Sequence, residues 1–328
     1  MTAPQNHFFS LTTDRILDSV EAALGGKLKG QRSTGRILAL NSLENRVHEI
    51  ELDSGEKIVS KFYRPGRWTK AQIAEEHLFL DRLLAAEIPV VAPLRLQSDT
   101  SIGTSPDGIF FAVFPKVRGR LLDELSTTQL ETLGRYVGRI HQMGKKFIVK
   151  ERLKLSTRVW GHEPLDFLLN SDFLDSTFAP HYERAVGDFL RIADDRMMGV
   201  PLQAVHGDCH LGNTLWEGES PFFLDFDDMM AAPAVQDIWM IVRGRDSEAE
   251  EQRRILLSTY EQMCEFDWAQ LSLIEVLRGL RIIHYSAWIG RRFDDPSFPT
   301  AFPSFGSASY WRSEIEALDE ITQILQTG

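Results

Sequence analysis

Cysteine is scarce in this chain: Cys209 and Cys264 are the only two in 328 residues. A disulfide framework is therefore excluded as the organising device, and a reducing compartment is expected. An excess of positive charge is also missing. Lys and Arg total 36 against 47 Asp and Glu, for a net charge of −11. A general nucleic-acid binder needs a basic face, so no nucleic-acid partner is expected, although an acidic total leaves room for a local basic groove. No stretch approaches the ~18 uninterrupted apolar residues of a membrane helix. The opening MTAPQNHFFS lacks a basic segment ahead of a long apolar core, so it does not read as a secretory leader. These absences together predict a cytoplasmic protein without a membrane partner, and a monomer is expected.

What is present is ordinary globular material. Hydrophobic residues make up 43% of the chain, enough to bury a real core, so a largely disordered chain is excluded. Thr-Thr-Asp before Ile16, Leu17, Val20 and Leu24 predicts a capped helix over 11–25. Short runs at 36–40, 46–52 and 57–63, separated by turn residues, predict three antiparallel strands. A helix over 69–86 and strands at 90–97 and 109–115 complete a first region. From Arg118 the pattern turns helical, with helices expected at 130–143, 178–198, 247–266, 268–292 and 309–326. Gly134 and Gly138 share one face of the first of these. The division expected is α+β in two lobes: residues 1–117, β-rich and nucleotide-binding, and residues 118–328, mostly helical, catalytic and substrate-binding.

The helical pattern is interrupted at 203–228, QAVHGDCHLGNTLWEGESPFFLDFDD. Here His206-Gly207-Asp208 is followed five residues later by Asn213, then by an apolar strand ending in Asp225. This is the arrangement of kinase-type catalytic loops. Phosphoryl transfer needs a group that orients the attacking hydroxyl and cations that neutralise phosphate charge. Asp208 can accept the hydroxyl proton. Asn213 and Asp225 offer hard oxygen ligands suited to Mg²⁺, and Asp225, ending an apolar run, needs a partner for its charge. His210 either touches the transferred phosphate or bonds within its own loop. His206 reads as a structural anchor. A zinc cluster of His206, Asp208, Cys209 and His210 is the competing reading, but no spaced second ligand pair accompanies it.

A kinase also needs a lysine on its third strand and a helical carboxylate beside it. Lys61 stands in such a strand, and Glu76, preferred over Glu75, is the expected partner. The first hairpin, Leu38–Val47, has no glycine. Backbone amides at Ser42 and its neighbours can still contact phosphate, or the segment is a plain turn. Phe111–Val117 is the expected hinge, with backbone groups of Phe114 and Lys116 facing adenine. Arg281, His284, Trp288, Arg291 and Arg292 read first as an amphipathic helix with a solvated face, and second as a basic-aromatic acceptor wall.

These motifs resemble the aminoglycoside phosphotransferase/choline kinase-like superfamily and, within it, look more closely like bacterial stress response kinases of the RdoA type. The carrying stretches are LNSLENRV (40–47), KFYRPGRWT (61–69), EEH (75–77), FAVFP (111–115), HGDCHLGN (206–213), PAVQDIWM (233–240), EVLRGLRIIHYSAW (275–288) and DPSFPTAFP (295–303). The resemblance implies a two-lobed protein-kinase-like fold and an ATP- and Mg²⁺-dependent atypical Ser/Thr protein kinase of the stress response. It implies Asp208 as proton acceptor, Asn213 and Asp225 as Mg²⁺ ligands, and Ser42 as an ATP contact. Its partners would be protein substrates, including itself by autophosphorylation. A kinase of amino alcohols, aminoglycosides or sugars is the alternative, and a nucleotide-binding module without catalysis a third. Phe226-Asp227 replaces the Phe-Gly that follows this Asp in ordinary protein kinases, and Pro233 comes too soon for a long activation loop. Asp237 is expected to hydrogen-bond the catalytic-loop backbone, or else to cap the next helix.

Overall fold

A computed structural model describes residues 8, 9, 11–25 and 32–327. The first helix, α1 (Thr13–Leu24), starts where the Thr12 hydroxyl accepts the Arg15 amide. Five antiparallel strands then build one sheet: β1 (Ser33–Ala39), β2 (Arg46–Leu52), β3 (Lys57–Phe62), β4 (Gly103–Thr104) and β5 (Phe110–Pro115), in the order β1-β2-β3-β5-β4. Alternation decides which face is buried: Ile50, Leu52, Ile58 and Phe62 point into a core shared with Ile16, Val20 and Leu24 of α1. Helix α2 (Lys70–Ala85) begins in a capping box between Thr69 and Gln72 and packs into the main core through Phe79, Leu80 and Leu83.

The segment 90–97 is not the expected strand. Val90 makes one isolated bridge to Phe223, and the rest runs irregularly. Pro89 and Pro93 carry no amide donor, so a continuous ladder cannot form there. The sheet takes the short β4 instead.

The second lobe is helical. Its elements are α3 (Thr127–Gly144), a π-helical turn at Arg158–His162 running into α4 (Glu163–Leu169), α5 (Ala179–Met197), α6 (Val235–Ile241), α7 (Ser247–Tyr260), α8 (Ile274–Gly290), α9 (Ser297–Ala301) and α10 (Ala308–Thr327). A 3₁₀ turn at Trp268–Leu273 precedes α8, so the helix expected over 268–292 is shorter than its apolar pattern. Gly134 and Gly138 let α3 meet α7 backbone to backbone: a Cβ at Gly134 would stand 2.2 Å from Leu256 O, and one at Gly138 2.7 Å from Tyr260 O. Two small antiparallel two-stranded sheets carry the site. They are β6 (Gln203–Val205) with β9 (Met230–Ala232), and β7 (Thr214–Glu217) with β8 (Ser220–Phe223). Among the described residues no helix is long and apolar enough to cross a membrane.

Candidate active site

The loop after β6 is held from below. Asp237, buried on α6, accepts the amides of His206 (2.8 Å) and Gly207 (2.9 Å). His141 Nε2 donates to the same carboxylate at 2.9 Å. Burial opposes the charge, but the His141 bond, His206 and the loop amides outweigh it and hold the carboxyl below its ordinary range. Gly207 has φ +87°, and a Cβ there would lie 2.1 Å from Asp228 O, so no other residue fits. His206 donates through Nε2 to Leu224 O (2.7 Å) and accepts the Asp208 amide at Nδ1. With both ring nitrogens engaged, His206 is unavailable as a zinc ligand. Among the described residues no group of three or more His, Cys, Asp or Glu is placed to hold a metal.

These bonds bring three of the expected site residues onto one floor. Asn213 Nδ2 donates to Asp208 O (2.9 Å), and the Asn213 carbonyl accepts the Leu224 amide (2.9 Å), one residue before Asp225. Asn213's nitrogen is thus spent, leaving its amide oxygen for a cation. Asp225 sits in the left-handed region (φ 53°, ψ 65°), a conformation unfavourable for a residue with a Cβ. Its side chain is 51% exposed, and Oδ1 is bonded to Lys61 Nζ at 2.7 Å. The Asp208 carboxylate is capped on both oxygens: Arg281 Nη2 lies 3.0 Å from Oδ1, and His210 Nε2 3.3 Å from Oδ2. His210 Nδ1 accepts the Gly212 amide, so Nε2 carries the hydrogen and donates to Asp208. Burial would raise the Asp208 pKa, but the His210 bond and the Arg281 charge hold it well below the usual range.

The partner of Lys61 differs from expectation. Glu76 is buried within electrostatic reach, yet the ammonium bonds Asp225 and lies 3.1 Å from Asp227. The nearest cation to Glu76 is Arg152, at 3.6 Å. Burial pushes the Glu76 carboxyl up to about 7, against the pull of Lys61 and Arg152. Glu75 faces elsewhere and accepts the amides of Lys150, Glu151 and Arg152. Asp227 is the residue that sequence reasoning missed. Buried, it meets Lys61, Arg67 and the Asn45 amide, and it stays ionised because these outweigh its desolvation. Arg152 closes the cluster by donating to the carbonyls of Phe226, Asp227 and Met229.

A cleft of about 730 Å³ opens above this floor, lined by Ser42, Asp208, His210, Asn213 and Asp225 among others. Ser42 lies in the β1–β2 turn and accepts the Asn45 amide. Phe114 and Lys116 do not line the cleft. The Lys116 amide donates to Lys57 O and its ammonium pairs with Glu49, so that amide is not free for adenine. The wall opposite is α8 with the two residues after it. Arg281, His284, Trp288, Arg291 and Arg292 all face the cleft, joined by Tyr285, so this helix presents its basic-aromatic stripe to the cleft rather than to bulk solvent. Glu44 of the β1–β2 turn crosses to that wall, accepting from Trp288 Nε1 (2.7 Å) and lying 2.6 Å from Arg292 Nε.

A profile described as "Phosphotransferase enzyme family" matches residues 36–274, and the chain belongs to that family. Its relatives narrow the comparison. "Stress response kinase A" of Escherichia coli K12 is 37% identical, over 97% of this chain and 95% of its own. "Serine/threonine protein kinase RdoA" of Salmonella typhimurium is 37% identical over 87% of each. Among solved structures, an amicoumacin kinase in complex with AMP-PNP, Ca²⁺ and Ami superposes with a TM-score of 0.75 at 20% identity, covering 95% of this chain and 93% of that one. That likeness establishes the kinase-like fold.

Proposed function

We propose that the protein transfers the γ-phosphoryl group of ATP, with Mg²⁺, to a serine or threonine hydroxyl of a protein. The observation carrying this reading is that one hydrogen-bonded loop brings Asp208, Asn213 and Asp225 to a single cleft floor, with Lys61 bonded to Asp225. The donor set suits Mg²⁺. Asn213 keeps a free amide oxygen and Asp225 a half-exposed carboxylate, and Mg²⁺ accepts few protein oxygens, completing its shell from phosphate and water. Bound there, the ion would neutralise phosphate charge.

The chain's own part follows from its charges. Lys61 is poised to leave Asp225 for phosphate oxygens, keeping Asp227 behind it. Asp208 is ionised and orients the acceptor hydroxyl. A carboxyl held so low takes the proton late, as the new bond forms. The acceptor oxygen bonds to the γ-phosphorus, the bond from that phosphorus to the β,γ-bridging oxygen breaks, ADP leaves, and the hydroxyl proton passes to Asp208 and then to water. The printed name of the RdoA relative supports protein as acceptor. The fold shared with the amicoumacin kinase favours a second reading, a small-molecule acceptor.

The deciding experiment incubates the full chain with labelled ATP and Mg²⁺, offering a Ser/Thr-bearing protein beside small alcohols. Label in protein, abolished by Asp208→Asn, is expected. Transfer to a small alcohol alone would replace the first reading by the second.

A further inference from the structure

We infer that the acceptor is an acidic protein segment, with one carboxylate beside the reacting hydroxyl and a second about four to five extended residues away. This rests on the protein-acceptor reading above and narrows it to a kind of segment.

Charge placement is the first argument. The six wall residues on and just after α8 include three arginines and no acid. The carboxylates lining the cleft are elsewhere, and each already faces a cation. Glu44 meets Arg292, Asp208 meets Arg281, Asp225 meets Lys61, and Asp227 and Asp228 meet Arg67. A positively charged acceptor would find no uncommitted counter-charge. Arg291, in contrast, lies over the Phe167 ring at 4.9 Å and, among the described residues, has no carboxylate within ion-pair distance. Burial pulls its pKa below the ordinary value, and the more distant charge of Glu163 offsets only part of that.

The second argument concerns Arg281. A hydroxyl that hydrogen-bonds Asp208 shares Oδ1 with Arg281 or Oδ2 with His210, and so comes close to one of these donors. A carboxylate next to that hydroxyl gives Arg281 a second partner. Arg243 also lies within electrostatic reach of both Arg281 and Asp208, so the neighbourhood carries more cation than anion.

Distance sets the spacing. Ten residues separate Arg281 from Arg291, which is ~15 Å of helical rise at about 1.5 Å per residue. An extended segment covers that in about four to five residues at ~3.3 Å each. Between the two cations, the rings of Tyr285 and Trp288 stack at 5.2 Å, giving a flat surface for the intervening chain. A small amino alcohol spans neither the distance nor the charge.

The test uses the full chain, Mg²⁺ and ATP with serine peptides of matched length. One carries Asp adjacent to the serine and at the fourth and fifth positions to either side. The others carry Ala or Lys there. We expect the acidic peptide to show a KM about ten-fold below the Ala peptide, the effect of one well-formed charge pair, with the difference falling on KM. In Arg291→Glu, the preference at the distal positions should reverse toward Lys, a gain that misfolding cannot produce. Equal KM values, a basic preference in the unmodified protein, or an unchanged ratio in Arg291→Glu would overturn this inference alone. Transfer to aminopropanol or glycerate and to no peptide would overturn the protein-acceptor reading, and this inference with it.

Discussion

The floor of the cleft and the chamber behind Lys61 are built on different physics. On the floor, Asp237, His206, Asn213 and Gly207 hold one another through directed bonds to backbone groups. Each bond has a defined donor and acceptor, so position is set by geometry. Behind Lys61, the buried charges of Asp227, Arg67, Arg152 and Glu76 balance one another. There the pairing is less complete: Glu76 Oε2 and Arg152 Nη1 lie buried without a hydrogen-bond partner. Position on the floor should survive changes of charge that the chamber would feel, because a buried charge is tolerated only while its neighbours compensate it.

The sharpest way to test that division is Asp208→Asn. It keeps the side chain's size but removes one charge and one acceptor, facing Arg281 or His210, so we expect kcat to fall about 10²–10⁴-fold with nucleotide affinity little changed. A comparable loss of nucleotide binding would mean that the floor, too, is held by charge. Asp237→Ala strips the acceptor from two buried amides and His141. Breaking such a buried pairing costs about 3–5 kcal/mol, which urea unfolding would register.

Glu76→Gln probes the chamber. The folded carboxyl titrates at about 7 against an ordinary 4.5. The native state therefore binds more protons between those values, and Glu76 ionisation removes stability as pH rises through that window. The Gln variant should show a flatter fall in melting temperature over the same range. An unchanged slope would show that Lys61 and Arg152 compensate Glu76 fully. The smallest effect belongs to Lys116→Ala. Its pair with Glu49 lies on the sheet face that carries Lys61 but outside the lining of the cleft; it is worth less than about 1 kcal/mol, and ATP affinity should hold. A marked affinity loss would return Lys116 to the nucleotide site.

How much of this could be read beforehand follows the same division. The floor is local: Asp208, Asn213 and Asp225 lie within 18 residues of one another, so spacing alone exposed them, and Asp237 was expected to bond the loop. The chamber is assembled from Asn45, Lys61, Arg67, Glu76, Arg152 and Asp227, which no short window contains. In sequence Asp227 reads only as a departure from a motif, and the motif order points Lys61 to Glu76, whereas Asp225 and Asp227 lie nearer. On α8 the stripe was visible as helical periodicity, but periodicity does not say which face meets a cleft. The contact from Trp288 to Glu44 decides that, across 244 residues.

That contact has a mechanical side. Glu44 belongs to the turn above the floor and Trp288 to the wall opposite, so a single side chain ties the two sides of the cleft together. An outward swing of the turn breaks the contacts with Trp288 and Arg292 together, while Arg64, which holds the turn's own Leu43 and Glu44 carbonyls, stays with it. Opening the cleft on this side therefore costs both contacts together, so one carboxylate couples the turn to the wall.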